Sequence, residues 1–229
     1  MTPPLIAVIV PVLDEEASLP DLLDHLPQRP EVEVIVVDGG SRDGTVAVAR
    51  SHPLGPRVVV ERGGRARQLN LGAAAARASL LCFLHADSRL PPDGIASLSA
   101  ALRDPGLIGG NFALRFDGHD RFSRVLTAWY SVQRRAGIYY GDSTVWVRAA
   151  AFAALGGYRE LPIMDDYDFV RRMERHGPTA CLPGPATTSP RRWQALGIPR
   201  TVLSWIAIRW LWIAGVPAER LARLYRAIR

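Results

Sequence analysis

Two short runs of apolar, mostly β-branched residues, at positions 6–10 and 34–37, constrain the fold of this chain more than any other feature. Continuous runs of this kind form the strands of a parallel sheet that is covered on both faces. Between them, residues 17–26 place four leucines at helical spacing. This order predicts a strand, a helix and a second, parallel strand.

The same alternation continues along the chain and predicts the fold class. After Asp38 we expect further strands at 58–61, 80–84, 108–115 and around 145–147. We expect further helices directly after Asp38 and at 66–78, 91–102, 121–135, 149–155 and 165–175. The class is α/β, a mostly parallel sheet flanked by helices, in which ligands bind beyond the carboxyl ends of the strands. Residues 1–189 form one domain with halves at 1–90 and 91–189, and residues 190–229 form a basic helical tail.

The charge excess is confined to the tail. The chain has 28 basic and 22 acidic residues, a net charge of +6, and it contains no lysine. Residues 191–229 hold eight arginines and Glu219 as their one acid. A broad basic face for duplex binding is therefore not expected, and nucleic acid is not a predicted partner.

Cysteine usage and the first residues predict the compartment. Cys82 and Cys181 cannot supply a disulfide framework, and no cleavable leader pattern precedes the first apolar run. We therefore expect a cytoplasmic protein.

Polar residues directly follow three of the predicted parallel strands. Such residues do not stabilise a buried strand, so we consider them candidates for function. The strand ends are Pro11, Val12, Leu13, Asp14 and Glu15; Asp38 to Thr45; and His85, Ala86, Asp87 and Ser88. Each residue alone has an ordinary explanation as a helix cap or a turn residue. Together the acidic strand ends favour a site for a polyhydroxyl or cationic ligand, or for a metal that carries an anion.

Three sequence stretches carry the chemistry most directly. In His85-Ala86-Asp87 an imidazole and a carboxylate suit Mn²⁺ or Mg²⁺ on a diphosphate, or else they are a satisfied histidine beside a capping aspartate. Arg65 and Arg67 follow two glycines, and they either clamp a phosphate or a nucleoside at a helix start or are solvated. Asp165, Asp166 and Asp168 open a helix, where they stabilise its dipole or supply a general base.

The order of these motifs resembles the inverting family 2 glycosyltransferases of GT-A fold. The matching stretches are Pro11-x-x-Asp14-Glu15-Glu16, Asp38 to Thr45, Arg65 before Asn70-x-Gly72, His85-Ala86-Asp87 and Asp165-Asp166-x-Asp168. Within that family the chain is similar to a bacterial subfamily associated with arsenosugar biosynthesis. The stretches that carry this second likeness are Gly64 to Gln68, Leu84 to Asp87, Gly141-Asp142 and Glu219 to Tyr225.

The resemblance implies a role for each matching residue. Residues 1–90 would bind the donor, a nucleotide-diphosphate sugar, through Pro11, Val12, Leu13, Asp14, Glu15, Asp38, Arg65, His85, Ala86 and Asp87. Asp87 would bind a divalent metal, Mg²⁺ or Mn²⁺. His85 replaces the first acid of the family's DxD motif and would bind either this metal or the ribose. Asp166 matches the expected base, and Asp165 stands where the family has a glutamate.

The acceptor would lie against residues 91–189 and the start of the tail. The residues implied on this side are Asp142, Arg192 and Trp193. Ser189 to Trp193 partly resembles the Gln-x-x-Arg-Trp motif of processive polysaccharide synthases, but Ser189 stands in place of the glutamine. A processive polymerase is therefore not expected.

The function predicted from the resemblance is transfer of one hexose or pentose, with inversion, from a nucleotide-diphosphate sugar to a hydroxyl. UDP is the expected nucleotide, and the acceptor is a small molecule or a lipid-linked one. One alternative is a peripheral membrane transferase whose acceptor is a polyprenyl phosphate. The other is a catalytically silent, nucleotide-binding scaffold protein.

The tail combines its positive charge with Trp193, Trp205, Trp210 and Trp212. Residues 202–216 are interrupted by Arg209 and are shorter than the roughly 20 residues of a spanning helix. The composition favours a tail that lies on the inner face of the cell membrane or closes over the acceptor. The alternative is that these tryptophans pack in the core or in a homodimer interface.

Overall fold

A computed structural model describes residues 5–118, 120–189 and 197–228 and contains one eight-stranded sheet. The strands are β1 (Ile6–Val12), β2 (Val32–Asp38), β3 (Arg57–Val60), β4 (Leu80–Phe83), β5 (Ser88–Arg89), β6 (Gly109–Phe116), β7 (Val145–Arg148) and β8 (Thr179–Thr188). Their order across the sheet is β3-β2-β1-β4-β7-β6-β8-β5.

Helices connect and cover the strands. They are α1 (Leu19–Asp24), α2 (Thr45–Ser51), α3 (Arg65–Ala75), α4 (Gly94–Leu102), α5 (Arg121–Arg135), α6 (Ala149–Ala154), α7 (Asp165–His176), α8 (Ile198–Ile213) and α9 (Ala218–Ile228). A short 3-10 turn, Gly141–Ser143, precedes β7. Each helix predicted before residue 190 is present, and the tail forms two helices.

The two halves of the sheet differ in strand direction. The pairs β3-β2, β2-β1 and β1-β4 are all parallel, as the alternation of apolar runs and helices predicts. Beyond β4 the sheet is mixed, because β7 runs antiparallel to both β4 and β6 while β6 and β8 are parallel. The structure is thus α/β with a parallel half-sheet and a mixed remainder.

Both faces of the sheet are buried, which explains the unbroken apolar runs. In β1, Ile6, Val8 and Val10 belong to one core cluster, whereas Ala7 and Ile9 belong to the cluster on the opposite face. Burial of each valine or isoleucine in this strand contributes about 1.5–3 kcal/mol. The sheet is therefore a rigid platform that fixes the carboxyl ends of β1, β2 and β4 along one edge.

The strand β8 was not predicted, because its sequence contains Pro183, Gly184 and Pro185. Proline cannot donate to a sheet ladder, so it is confined to edges and irregular positions. Here the register with β6 shifts between Phe112 and Leu114, opposite the segment that holds both prolines. The irregularity lets β8 continue, and the N–H of Ser189 then donates to the carbonyl of Asp87 at 3.2 Å.

The two tail helices pack against the second half of the domain. Ile208 of α8 and Leu221 of α9 are buried in one cluster with Met164 and Tyr167, the residues on either side of the Asp165-Asp166 pair. None of the helices in the described part of the chain combines the length and apolarity needed to cross a bilayer.

Candidate functional site

The loops after β1 and β2 are joined by reciprocal hydrogen bonds. The N–H of Asp14 donates to Ser41 Oγ at 2.9 Å, and Asp14 Oδ1 accepts from the N–H of Arg42 at 2.8 Å. The N–H of Glu15 donates to Thr45 Oγ1 at 2.9 Å. Asp14 adopts a φ of 53°, a left-handed conformation that aspartate tolerates better than most residues. The two strand ends are thereby fixed as one polar ledge.

Residues at the end of β1 differ in their access to a ligand. Val12 is buried, Pro11 and Glu15 are partly buried, and Leu13 and Asp14 are exposed. Gln68 of α3 is buried and donates to the carbonyls of Val12 and Val37 at 2.9 and 2.7 Å. These two hydrogen bonds connect the ends of β1 and β2 through one side chain.

Asp38, the last residue of β2, is almost fully buried. Its carboxylate accepts from the N–H of Gly40 at 2.9 Å, from the N–H of Ser41 at 3.1 Å and from Ser41 Oγ at 2.5 Å. The carboxylate therefore shapes its own loop.

Arg65, at the start of α3, pairs with the two adjacent acids at the start of α7. Its Nε and Nη2 donate to the two carboxylate oxygens of Asp165 at 3.1 and 2.5 Å, and Nη2 lies 3.5 Å from Asp166 Oδ2. Asp166 also accepts from the N–H of Gly141 at 3.0 Å and from the N–H of Tyr167 at 2.8 Å. Bidentate pairs of this kind fix both partners in orientation as well as in charge.

Burial and this arginine separate the two carboxylates in acidity. Burial raises the pKa of Asp165 above its ordinary value, although Arg65 opposes the effect. Burial also acts to raise the pKa of Asp166, but Arg65 and the N–H of Gly141 outweigh it, so that this pKa is lowered. For Arg65, burial is outweighed by the two carboxylates, and the guanidinium pKa is raised. Asp166 is therefore ionised at neutral pH.

His85, which follows β4, lies near the acidic pair Asp165 and Asp166. Its Nε2 is 3.4 Å from Arg65 Nη1, and a methyl group added at Gly141 would lie 2.8 Å from Nε2 and 3.2 Å from Asp166 Oδ2. The imidazole and the carboxylate therefore both pack against Gly141, where a side chain would leave too little room for the imidazole. When it is protonated, the His85 ring also helps to lower the pKa of Asp166.

Asp87 faces a different set of neighbours from His85. It is partly buried and, together with Ser18, Asp21 and Asp117, lines a cavity of about 300 Å³. Ala86, between the two, is buried. Asp21 in this cavity is paired with Arg89. The structure thus places His85 beside the acidic pair and Asp87 beside α1 and β8.

The described residues include no group of three or more His, Cys, Asp or Glu side chains that could hold a metal by themselves. This arrangement still fits Mg²⁺ or Mn²⁺. Such ions are commonly bound through one or two carboxylates, with substrate phosphates and water as the other ligands. The carboxylate of Asp87, which opens into the cavity, suits that role.

Asp168, the third acid of the α7 motif, forms ion pairs with two arginines. Asp168 pairs with Arg159 at 3.0 Å and with Arg172 at 2.8 Å, so it supports the helix rather than the site. Asp142 lies in the 3-10 turn next to Gly141 and is partly buried. Arg192 and Trp193 lie outside the described residues.

The tail contributes to the wall of the site. Tyr140 stacks on Tyr167 with ring centroids 5.6 Å apart, and burial raises the pKa of Tyr140 to about 12. Arg209 of α8 is close enough to Tyr140 to oppose that shift. Arg209 also donates to the side-chain oxygen of Gln133 in α5.

Sequence reasoning missed two residues that organise the site. Gln68 lies in the stretch Gly64 to Gln68, and no role is predicted for it from the sequence. A polar residue next to Leu69 on an otherwise apolar helix face is nevertheless a signal that the sequence contains. Arg209 was considered for its charge alone. Its place beside Tyr140 depends on how the tail folds back, and the local sequence does not encode that.

The geometry supports a particular chemistry. A polar ledge at the ends of β1 and β2, a carboxylate in a cavity at Asp87, and an ionised carboxylate at Asp166 lie on the carboxyl edge of a parallel half-sheet. Open α/β sheets bind ligands at this edge. An ionised carboxylate near a bound polyol can take a proton from a hydroxyl.

Comparisons with known proteins agree with this architecture. The sequence model described as Glycosyl transferase family 2 matches residues 7–156. Undecaprenyl-phosphate 4-deoxy-4-formamido-L-arabinose transferase of Aeromonas hydrophila subsp. hydrophila is 33% identical over 161 residues, which cover 63% of this chain and 48% of the relative. A PGL/p-HBAD biosynthesis glycosyltransferase of Mycobacterium bovis is 33% identical over 108 residues, which cover 44% of this chain and 42% of the relative. The chain thus spans about half the length of the curated relatives that it matches.

Two solved structures share the fold. Mannosyltransferase PcManGT from Pyrobaculum calidifontis, in complex with GDP-Man and Mn²⁺, has a TM-score of 0.64 and 25% identity, and the match covers 82% of this chain and 57% of that one. S. aureus TarS in complex with UDP-GlcNAc has a TM-score of 0.65 and 16% identity, and the match covers 90% of this chain and 66% of that one. The predicted GT-A fold, an α/β sheet with helices at the carboxyl end of the chain, is confirmed.

Proposed function

Because the chain belongs to glycosyl transferase family 2, we propose that it transfers one sugar from a nucleotide-diphosphate sugar to a hydroxyl acceptor, with inversion at the anomeric carbon. UDP is the proposed nucleotide, and a hexose or pentose is the proposed sugar. The observation that carries this function is the Asp166 carboxylate, which is held ionised by Arg65 and the N–H of Gly141 at the ligand-binding edge of the sheet.

In this proposal residues 1–90 bind the donor. The nucleoside lies along the ledge formed by Pro11 to Glu15 and the Asp38 loop, and the diphosphate lies toward Asp87. Rigid hydrogen bonding between the two loops supports this role, because a preformed site spends little binding energy on ordering itself. Structural neighbours of the chain were solved with GDP-Man and with UDP-GlcNAc.

Residues 91–189 and the tail then bind the acceptor next to Asp166. The acceptor hydroxyl gives its proton to Asp166 Oδ, its oxygen forms a bond to the anomeric carbon, and the bond from that carbon to the diphosphate oxygen breaks. Attack from the side opposite the leaving group inverts the anomeric centre. General-base catalysis of this kind typically contributes about 10²- to 10⁴-fold.

We assign the leaving diphosphate to a divalent metal, Mg²⁺ or Mn²⁺, with Asp87 as its protein ligand. Bound there, the ion would neutralise the charge that develops on the diphosphate. The mannosyltransferase neighbour was solved with Mn²⁺ beside GDP-Man, which supports the assignment. His85 Nε2 lies 3.4 Å from Arg65 Nη1, so we assign His85 to orienting Arg65 and Asp166.

A polyprenyl phosphate is the second candidate acceptor, and it is favoured by the name of the Aeromonas relative. A phosphate oxygen is ionised at neutral pH and needs no base, whereas a hydroxyl does. Asp166→Asn should therefore lower transfer to a hydroxyl by about 10²- to 10⁴-fold and spare transfer to a lipid phosphate. In either case we propose a cytoplasmic protein that works at the inner face of the membrane.

Two experiments test the function. A thermal-shift panel of nucleoside diphosphates, with and without Mn²⁺, identifies the donor class, because a ligand at 100 times its dissociation constant stabilises the fold by about 2.7 kcal/mol. Transfer from the corresponding labelled nucleotide sugar is then measured with hydroxyl and polyprenyl phosphate acceptors. A shift with one nucleotide but no transfer to either acceptor would favour a silent scaffold protein.

A further inference from the structure

Helix α5 has two apolar stripes, and one of them faces solvent. Leu126 is buried against Leu114 and Phe116 of β6. On an adjacent side of the helix Val125, Trp129 and Val132 recur one helical turn apart and are exposed, with 56% of the surface of Trp129 accessible. A stripe at this spacing normally faces a core. Here it faces outward from the described part of the chain.

Helix α8 repeats the arrangement. Ile208 is buried in the cluster that contains Met164 and Tyr167. Leu203, Ile206 and Trp210 are exposed on the other side, and 66% of the surface of Trp210 is accessible. Two large indole side chains are thus left in water by two different helices.

The two exposed stripes lie on neighbouring helices. Trp205 of α8 packs against the same buried cluster as Phe122 and Tyr130 of α5, and Arg209 of α8 donates to Gln133 of α5. We call the exposed side chains of the two stripes the two-helix face and define it by Val125, Trp129, Val132, Leu203, Ile206 and Trp210. Large exposed apolar surfaces often mark interaction sites.

The charge of both helices is of one sign. Helix α5 contains four arginines and α8 contains two, and neither helix contains an acidic residue. Arg121, Arg124, Arg135 and Arg200 are exposed beside the apolar stripes. Arginines that flank exposed tryptophans suit a bilayer surface with anionic headgroups, where indoles lie at the headgroup level and each cation gains from the negative surface potential.

A second copy of the chain fits this face poorly. In a twofold dimer the same patch meets itself. The exposed arginines of the two copies would then confront each other, and neither helix supplies an acid to pair with them. Like charges brought together at an interface oppose association.

We propose that the two-helix face docks the protein on an anionic lipid bilayer, with Trp129 and Trp210 inserted at the headgroup level and the arginines on the lipid phosphates. The tail alone does not form this surface, since half of it belongs to α5. The proposal does not depend on catalysis, and its test contains no donor or acceptor.

The test is co-sedimentation of the full chain with vesicles of phosphatidylcholine alone and of equal parts phosphatidylcholine and phosphatidylglycerol. We expect binding to the anionic vesicles, weakened by added salt, because screening reduces the attraction of exposed charges. The variant Trp129→Ser with Trp210→Ser should lower the partition coefficient by about tenfold, since it removes both inserted groups. Arg124→Gln with Arg135→Gln should reduce binding to anionic vesicles.

The matched controls change equivalent residues elsewhere on the surface. Val60→Ser alters an exposed apolar side chain on β3, and Arg50→Gln removes an exposed arginine from α2. Both should bind vesicles as the unaltered protein does. Absence of binding to both vesicle compositions would overturn the proposal, as would binding that the tryptophan variant leaves unchanged. A dimer measured by light scattering that the same variant dissociates, without vesicle binding, would assign the face to a second copy instead.

Discussion

Arg65 and Asp165 lie 100 residues apart in the chain and form a two-point ion pair, with the donor atoms of the guanidinium 3.1 and 2.5 Å from the two carboxylate oxygens. The pair connects the first residue of α3, in the half that we assign to the donor, with the first residue of α7, in the half that we assign to the acceptor. Asp165 is buried, so its charge depends on this partner. The two halves of the proposed site are coupled through one arginine.

Replacement of Arg65 by methionine should destabilise the fold, because it leaves two adjacent carboxylates without their cation. Removing one partner of a fully buried pair costs about 3–5 kcal/mol. The side chain of Arg65 is 37% exposed, so we expect a smaller loss, about 2 kcal/mol. Urea unfolding at neutral pH measures it. Arg67→Met is the control, since its nearest acids lie at 3.5 and 3.9 Å on the surface, and it should change stability by no more than about 0.5 kcal/mol.

A double-mutant cycle separates the pair from general damage at Arg65. If Arg65→Met destabilises the fold by leaving the Asp165 charge unpaired, the double variant Arg65→Met with Asp165→Asn should lose less free energy of unfolding than the sum of the two single variants. Additive losses would show that the ion pair does not couple the two residues.

The stability gap between wild type and Arg65→Met should depend on pH. The pKa of Asp166 is lowered in the folded protein, so its contribution is present at neutral pH and is lost as pH falls through the folded-state value. The pKa of Asp165 is raised instead, so the stability that this group contributes is present at low pH and is lost as pH rises. Without Arg65 both carboxylates take up protons at higher pH, which relieves the repulsion in the variant. The gap measured by urea unfolding is therefore widest at neutral pH and narrows near pH 4. A constant gap would contradict the assigned charges.

Asp166→Asn tests the proposed base. The amide keeps the shape of the side chain but cannot accept a proton from the acceptor, so kcat for a hydroxyl acceptor should fall by about 10²- to 10⁴-fold, with donor affinity unchanged. Asp168→Asn is a matched control two residues along the same helix, because the carboxylate of Asp168 is bound by Arg159 and Arg172. Near-normal turnover of Asp166→Asn with a hydroxyl acceptor would remove Asp166 from the mechanism.

Asp87→Ala tests the proposed metal ligand. Nucleoside diphosphate binding that requires Mn²⁺ should be lost, because this variant lacks the carboxylate that we assign to the metal. The difference is measured as a thermal shift with and without Mn²⁺. Asp21→Asn removes another carboxylate from the same cavity, where Arg89 already pairs with it, and it should retain the Mn²⁺-dependent shift. Equal shifts in wild type and Asp87→Ala would place the metal elsewhere.

The sequence was a good guide where one local pattern decides the structure. The apolar runs predicted β1, β2 and β4 because each is buried on both faces, and the helix predicted at 121–135 is observed at Arg121–Arg135. It failed at β8, because Pro183 and Pro185 are typical of a loop, and pairing with β6 and β5 overrides that local preference.

His85 and Asp87 have different neighbours in the structure, and no local sequence pattern indicates them. His85 Nε2 lies 3.4 Å from Arg65 Nη1, whereas Asp87 lines a cavity beside α1 and β8. The contact between Arg65 and Asp165 could not be predicted either. It depends on how α7 packs beside α3 rather than on any pattern near either residue.

Gly141→Ala tests whether the packing of His85 and Asp166 against the 3-10 turn matters for turnover. The added methyl would lie 2.8 Å from His85 Nε2 and 3.2 Å from Asp166 Oδ2, so the imidazole must move or the 3-10 turn must shift. A shift of the turn would also lengthen the hydrogen bond from the N–H of Gly141, which helps to keep the pKa of Asp166 low. We therefore expect kcat to fall by about tenfold or more, as for small displacements of catalytic groups, while stability changes by less than about 1 kcal/mol. Gly106→Ala, in the exposed loop after α4, is the control and should leave kcat unchanged. If Gly141→Ala keeps the turnover of the control, the spacing of these two side chains has no part in catalysis.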